Sequence, residues 1–238
     1  RYRLGKLYFA QGKHRAASRL FAGLMTYGGE VEARAYMEMA VMSQTARDFN
    51  GAQRLFEAYI ERLPEEEQDL YTDISLVASR DELDLYKLTP KDEQATLQKR
   101  FWNSRDPAPL TAANERLVEH YRRVAYARTK FSKGEFPWDD RGDVYIRLGG
   151  PDHVSRSDDI RLEQDASLLH ARINFAIRFR FGIEVLLGYP LFPVSGRWEY
   201  WVYADLEDGI EITFENPYSD GRYTFADIVN FTFFLINS

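Results

Sequence analysis

The sequence predicts an α+β fold, in which an N-terminal α-helical repeat segment precedes a domain with a long helix packed on a small antiparallel β-sheet. An internal repeat with helical periodicity occupies residues 1–64, and one long helix is predicted over residues 111–131. Alternating aromatic segments separated by turn residues follow residue 197. We therefore place the helical repeats and their connector at residues 1–90 and the α+β domain at residues 91–238.

The composition excludes several classes of function. The net charge of −6 over 238 residues argues against a general nucleic-acid or membrane-surface binder. The absence of cysteine excludes disulfides, thiolate metal sites and a cysteine nucleophile. No apolar run reaches the ~20 residues that a membrane-spanning helix needs. Because the first residues already lie within a helical pattern, we expect the natural N-terminus, with any targeting signal, to lie upstream.

The helical front contains an internal repeat in which residues 12–21 align with residues 47–56. A period of about 34 residues built from paired helices is similar to the tetratricopeptide repeat. Two copies are fewer than a free-standing array needs, so we expect the pair to continue upstream or to pack on the segment C-terminal to it. Two interpretations of this helical front remain: a plain helical layer or a peptide-binding groove. The positions that carry the similarity are Leu4, Gly5, Tyr8, Ala17, Phe21, Tyr36, Ala40, Ala52, Phe56 and Pro64.

The connector and the next helices follow from periodicity and capping residues. The acidic stretch from Pro64 to Leu88 predicts a short helix and a loop with a solvated face. Pro90 suits the first turn of a helix that runs to Phe101. Thr111 is expected to cap the long helix that ends near Phe131.

Residues 136–154 organise the middle of the chain. We expect Asp143–Leu148 to form a short strand, because glycines bound a segment that is rich in β-branched and aromatic residues. In the turn before it, Asp140 is expected to accept backbone N–H bonds while Gly142 takes a positive φ.

The second half predicts strands. The alternation between Leu168 and Phe181 favours one strand, and residues 197–204 and 210–214 predict a hairpin. Residues 222–225 follow another turn, and we expect the sheet to pack on the 111–131 helix. The apolar tail from Ile228 to Ile236 suits a strand or a helix that docks elsewhere.

Three short motifs, read together, resemble the GWxTD domain, a bacterial family without an assigned activity. They lie in residues 101–107, 114–131 and 138–152, and Pro137 and Asp139 replace the Gly and Thr of the family motif. Tetratricopeptide-like segments and export signals are common in that family, so the resemblance implies an envelope or secreted setting. The motif residues, which we interpret as structural, are Trp102, Arg105, Asp106, Asn114, Glu115, Glu119, His120, Arg123, Trp138, Asp140, Arg141, Gly142, Tyr145, Gly149, Pro151 and Asp152.

We interpret the motif charges as an ionic network, with Arg105 and Arg123 pairing Glu119, Asp106 or Asp140. A metal site built on Glu115 and Glu119, with a third ligand from Asp106 or Asp140, is the weaker alternative. His120 is offset along the helix, and Arg123 would place a cation beside the ion. Calcium binding by Asp139, Asp140, Asp143 and Asp152 is also disfavoured, since their spacing does not match the known calcium loop. We therefore expect neither a metal nor another cofactor.

The leading hypothesis for function is a non-enzymatic protein–protein interaction or assembly module. Its partners are other proteins, including further copies of this chain, and neither nucleic acid nor a membrane span is expected. The alternative is a hydrolase or carbohydrate-active enzyme that uses Asp140, His120 and Glu119. No nucleophile motif accompanies those three residues.

Overall fold

A computed structural model describes residues 1–179 and 185–226 and confirms the α+β class. The chain divides into two compact units, residues 1–126 and 127–238. That division does not test where an independently folding domain begins, so the boundary between residues 90 and 91 stays a prediction. The described helices are α1 Tyr2–Ala10, α2 His14–Ala22, α3 Gly29–Thr45, α4 Phe49–Ile60, α5 Glu65–Thr72, α6 Arg80–Leu88, α7 Lys91–Asn103, α8 Glu115–Lys130, α9 Asp140–Leu148 and α10 Ala166–Arg178. The described strands are β1 His153–Arg156, β2 Arg197–Tyr203, β3 Ile210–Asn216 and β4 Thr224–Phe225. Among the residues so described, no helix combines the length and the apolar character that crossing a membrane requires.

The first unit begins with two helical hairpins, α1–α2 and α3–α4. In the first hairpin, a Cβ at Gly5 would lie 2.7 Å from the Phe21 ring, so only glycine lets the two helices approach this closely. Ala17 and Phe21 are completely buried, and so are Ala52 and Phe56 at the equivalent positions of the second hairpin. The repeat in the sequence therefore corresponds to a repeated packing arrangement, while its assignment to the tetratricopeptide class stays a prediction.

Two helices in the first unit differ from the prediction. The connector contains a second helix, α6, where a loop was expected, because Ser79 and Glu82 form a capping box at its start. The long helix α8 begins at Glu115, because the side chain of Asn114 accepts the backbone N–H of Leu117 at 3.0 Å. The predicted cap, Thr111, instead donates its hydroxyl to the carbonyl of Ala108.

The strand predicted over Asp143–Leu148 is wrong, because this segment belongs to helix α9. Asp139 caps that helix by accepting the backbone N–H of Arg141. The predicted positive φ at Gly142 is also wrong, since Gly142 lies inside the helix. Glycine is required there for a different reason: a Cβ would lie 2.4 Å from atoms of the Trp138 ring.

The strand predicted between Leu168 and Phe181 is likewise wrong. Residues 166–178 form α10, whose N-terminus is capped by Asp165 through the backbone N–H of Ser167. The buried residues are spaced at one helical turn, with Ala171 followed by Phe175 and Arg172 by Ala176. The last two residues of the predicted strand lie outside the described residues, as does the predicted tail from Ile228 to Ile236.

The second unit is built on the sheet, whose order is β1-β2-β3-β4 with all neighbours antiparallel. The predicted hairpin is confirmed, with Tyr200 opposite Thr213 and Trp201 opposite Ile212. Both faces of β2 are buried, since Tyr200 and Trp201 are each almost completely removed from solvent. Helix α10 packs on the Tyr200 face, whereas Phe131 packs on Trp201 at a centroid distance of 5.7 Å. The sheet therefore has two protein-covered faces, each of which holds charged side chains.

Candidate functional site

In the first unit, Glu119 is held by three side chains. Arg122 donates to both carboxylate oxygens at 2.7 and 2.8 Å, and Arg123 donates Nε–H at 2.8 Å. Gln44 donates at 2.8 Å from α3. Burial raises the pKa of Glu119, but the hydrogen bonds from Arg122 and Arg123 outweigh burial and lower the pKa to about 2. Glu119 is therefore ionised and fully engaged at neutral pH.

His120 is buried in the same unit and is only 4% exposed. Its ring lies 4.7 Å from that of Trp102, measured between centroids. Burial lowers the pKa of His120 to about 3, and a polar contact with the backbone of Tyr71 offsets this only in part. The imidazole is therefore neutral at physiological pH and cannot serve there as a general acid.

The remaining motif residues of the first unit make structural contacts. Arg105 pairs with Glu82 at 2.8 Å through both carboxylate oxygens. The predicted pairing of Arg105 with Glu119, Asp106 or Asp140 is therefore wrong, and its actual partner lies on the helix that the sequence reading missed. Two other motif side chains bond to the backbone: Asp106 accepts the N–H of Ala108, and Asn114 donates to the carbonyl of Trp102. Glu115 lies in the first turn of α8.

In the second unit, a buried ionic cluster lies on the Trp201 face of the sheet. Arg141 donates to Asp139 at 2.7 Å and to Glu199 at 3.0 Å. Arg156 lies 3.0 Å from Glu199, and Trp201 Nε1–H donates to the same carboxylate at 2.6 Å. Burial lowers the pKa of Arg141, but the hydrogen bond to Asp139 and the charge of Glu199 raise it overall. Two cations and two anions balance, so the cluster is electrically neutral.

Asp140 lies in α9, next to Asp139 and Arg141 in the chain, and its carboxylate is hydrogen-bonded to the backbone of β4. It accepts the N–H of Phe225 at 2.9 Å. Burial raises the pKa of Asp140, and this backbone hydrogen bond opposes the rise. Asp140 does accept a backbone N–H, as predicted, but the predicted role as cap of its own turn is wrong, because Asp139 caps the turn and the donor to Asp140 comes from β4. Glu119 and His120 belong to the first unit and Asp140 to the second.

The other acids of the calcium alternative also have individual partners. Asp143 accepts the indole N–H of Trp138 at 2.7 Å, and Asp152 accepts the backbone N–H of Ala204 at 2.8 Å. Within the ranges that the structure describes, no group of three or more His, Cys, Asp or Glu could hold a metal ion. Tyr145 and Gly149 contact neighbouring structure too: Tyr145 packs near Phe131, and Gly149 accepts the hydroxyl of Tyr203 at 2.9 Å. Pro151 lies between α9 and β1.

A second buried cluster, which the sequence reading missed, lies on the opposite face of the sheet. Arg172 of α10 donates to Glu211 at 2.6 Å and also pairs with Glu163. Tyr200 donates its hydroxyl to Glu163 at 2.5 Å. The side chains of Arg172, Glu163 and Glu211 have no exposed surface. We call these three residues and Tyr200 the Arg172 cluster.

The pKa values within the Arg172 cluster are shifted in opposite directions. Burial raises the pKa of Glu211, although Arg172 opposes the rise. Burial also acts to raise the pKa of Glu163, but the Tyr200 hydroxyl and the charge of Arg172 lower it overall. Carboxylates whose pKa values are pushed apart can mark an acid–base pair. Here, however, neither carboxylate is exposed to solvent, and each also accepts a hydrogen bond from a backbone N–H.

The signal for the Arg172 cluster was present in the sequence. Glu211 lies in the segment 210–214, whose other residues are mostly apolar. An acid buried in such a strand requires a cationic partner. The prediction placed only the 111–131 helix against the sheet, so it gave no reason to seek a cationic partner for Glu211.

These contacts define a class of protein: an α+β domain in which the motif residue Arg141 joins helix α9 to the sheet through a buried ion pair with Glu199. The model of the GWxTD domain family matches residues 47–184, which is more than half of the chain. The chain therefore belongs to the GWxTD domain family. No curated protein matches it, and neither does any solved structure.

Proposed function

We propose that this chain is a non-enzymatic protein–protein interaction module that assembles with a second copy of itself. Its motif residues act as architecture, and its setting is the bacterial envelope or exterior, as the family resemblance implies. The observation that carries this proposal is an exposed apolar patch on the second unit, formed by Ile160, Leu162, Leu186, Leu187 and Tyr189. The exposed fraction is 68% for Leu186 and 55% for Leu162.

The patch is continuous across two loops. Gly188, between Leu187 and Tyr189, lies directly against the other loop, because a Cβ there would lie 2.9 Å from Ile160 and 3.0 Å from Leu162. Exposed apolar patches of a few hundred Å² on a soluble protein commonly mark an interaction site. The two loops together therefore present one surface.

The Arg172 cluster holds the Leu186–Leu191 loop in place. Arg172 donates to the carbonyls of Leu186 and Tyr189 at 3.2 and 2.5 Å. Glu163 accepts the N–H of Gly188 at 2.9 Å, and Glu211 accepts that of Leu191 at 2.7 Å. These bonds fix the backbone while the side chains of Leu186 and Leu187 remain exposed. A surface that is already ordered loses less conformational entropy when it binds.

The charge next to the patch supports a second copy as the partner. A stable interface covers about 800 Å² on each partner, and the patch would supply its apolar centre. The rim next to the patch carries both signs of charge, since Arg161 and Asp165 line a shallow pocket together with Ile160 and Leu162. A two-fold interface requires such a self-complementary surface.

The motif chemistry supports a non-enzymatic role. Glu119 is occupied by two arginines, and His120 is neutral and buried. In the second unit, Asp140 is committed to the backbone of β4. Glu119 and Asp140 therefore already have structural partners, and His120 is buried against the Trp102 ring.

Size-exclusion chromatography with light scattering tests the proposal. At micromolar concentrations we expect an average mass above the 27.8 kDa of one chain, rising with concentration. Leu186→Glu should return the mass to that of one chain. Leu110→Glu is the matched control, because Leu110 is fully exposed in the first unit. A wild-type protein that stays monomeric throughout, or equal association of both variants, would overturn the proposal.

A further inference from the structure

A groove on the first unit runs between α2 and α3, away from the charge clusters described above. It encloses about 560 Å³, and its lining includes His14, Arg15, Arg19, Met39 and Met42. The basic residues belong to α2 and the methionines to α3. The groove therefore has one cationic wall and one wall in which the two methionines lie beside Ser43 and Thr45; we call the second the apolar wall.

The cationic wall is available to a ligand. Arg15 and Arg19 are exposed and lie one turn apart on the same side of α2. Within residues 1–179 and 185–226, neither guanidinium has a hydrogen-bond or ion-pair partner. Asp48 is an acid at the end of the groove, but its carboxylate accepts the N–H of Gly51 at 2.9 Å and caps α4. Asp48 pairs with neither arginine, so two cations face one anion and the groove keeps a positive charge.

The apolar wall is suited to side chains of variable shape. Met39 and Met42 pack on the buried cluster that contains Ala17 and Phe21, yet both remain partly exposed. Methionine is unbranched and polarisable, so it adapts to different apolar partners. A wall of this kind favours a peptide over a small inorganic anion, which would gain nothing from apolar contact.

From these two walls we infer that the groove binds an extended acidic peptide in which Asp or Glu alternates with apolar residues. Arg15 and Arg19 are separated by about 6 Å along the helix axis. Two residues of an extended chain span nearly the same distance, about 6.6 Å. Acids at positions i and i+2 would therefore each meet one guanidinium, while the residues between them face the methionines. The inference deepens the proposed function, because it adds a second protein-binding surface and states the chemistry of its partner.

Selection from a displayed library of random 12-residue peptides tests the inference and does not require the natural partner to be identified. The full chain serves as bait, and the enriched peptides are then measured by fluorescence anisotropy. We expect enrichment of alternating acidic and apolar residues. The double variant R15E/R19E should bind such peptides at least tenfold more weakly, and serine at the apolar positions of the peptide should also weaken binding.

R54E is the matched control, since Arg54 is an exposed arginine of α4 outside the groove lining. It should bind within twofold of wild type, and circular dichroism should show that both variants are folded. Failure to enrich any peptide, enrichment without acidic residues, or equal binding by R15E/R19E and wild type would each overturn the inference. Self-association through the apolar patch is measured separately with Leu186→Glu, so failure at the groove is distinguishable from failure of the proposed function.

Discussion

Arg172 donates its Nε–H to Glu211 at 2.6 Å, and neither side chain retains any contact with solvent. The pair joins α10 to β3 at the centre of the second unit. Removing one partner from a buried ion pair leaves the other charge without compensation in a medium that solvates it poorly. The pair therefore allows a direct test of how strongly the Arg172 cluster supports the fold.

Arg172→Met should lower the free energy of unfolding by about 3–5 kcal/mol, because Glu163 and Glu211 lose their shared cation. Denaturant unfolding measured by tryptophan fluorescence would show the loss. Arg161→Met is the matched control, since Arg161 pairs with Asp159 on the exposed surface and should cost far less. Equal losses in the two variants would show that the cluster does not stabilise the unit.

Glu119→Gln should destabilise the protein at neutral pH, and its effect should shrink in acid. The pKa of Glu119 is about 2 when folded, below the ordinary value of 4.5, so its contribution is fully present above pH 4.5. That contribution is lost as the pH falls toward 2. Unfolding free energies of wild type and variant, measured at several pH values from 7 downward, should converge. Glu66→Gln in the first turn of α5 is the control, and a gap that stays constant with pH would contradict the assignment.

His120 should remain neutral over the pH range in which an unburied histidine titrates. Burial lowers its pKa to about 3, so its ring resonances should not shift between pH 8 and pH 5. Below pH 6.5 His120 binds a proton in the unfolded chain but stays neutral in the folded chain. Its contribution therefore lowers the free energy of unfolding as the pH falls from 6.5 toward 3. Nitrogen-15 NMR of the ring, assigned with His120→Gln, checks the first point. Protonation above pH 6 would instead favour the catalytic alternative.

Gly142→Ala should lower stability by about 1–3 kcal/mol, although alanine is the better helix former. A Cβ at Gly142 would lie 2.4 Å from the Trp138 ring, so the indole must move away from Asp143. Thermal unfolding followed by circular dichroism measures the change. At Gly23 a Cβ would meet its nearest atom at 3.5 Å, an ordinary contact. Gly23→Ala should therefore be neutral or slightly stabilising, and a similarly mild effect at Gly142 would show that the indole adjusts freely.

The candidate site was only partly predictable from the sequence. The pairing of Arg123 with Glu119 follows from helical spacing alone, since residues four apart share a face. The partner of Arg105 did not follow, because Glu82 lies 23 residues away on a helix that was read as a loop. Pairing Arg172 with Glu211 requires knowing that residues 166–178 are helical and that β3 is buried on both faces.

By itself the sequence determined the two helical hairpins, the β2–β3 hairpin and the resemblance to the GWxTD domain, because periodicity, capping and turn residues act over a few neighbours. Only the tertiary structure decided that residues 140–148 and 166–178 are helices, since short segments rich in aromatic and β-branched residues suit either a strand or a helix. It also decided which carboxylates Arg105, Arg141 and Arg172 meet. The interaction between two charges depends on their distance in space, and for residues far apart in the chain the local sequence does not determine that distance.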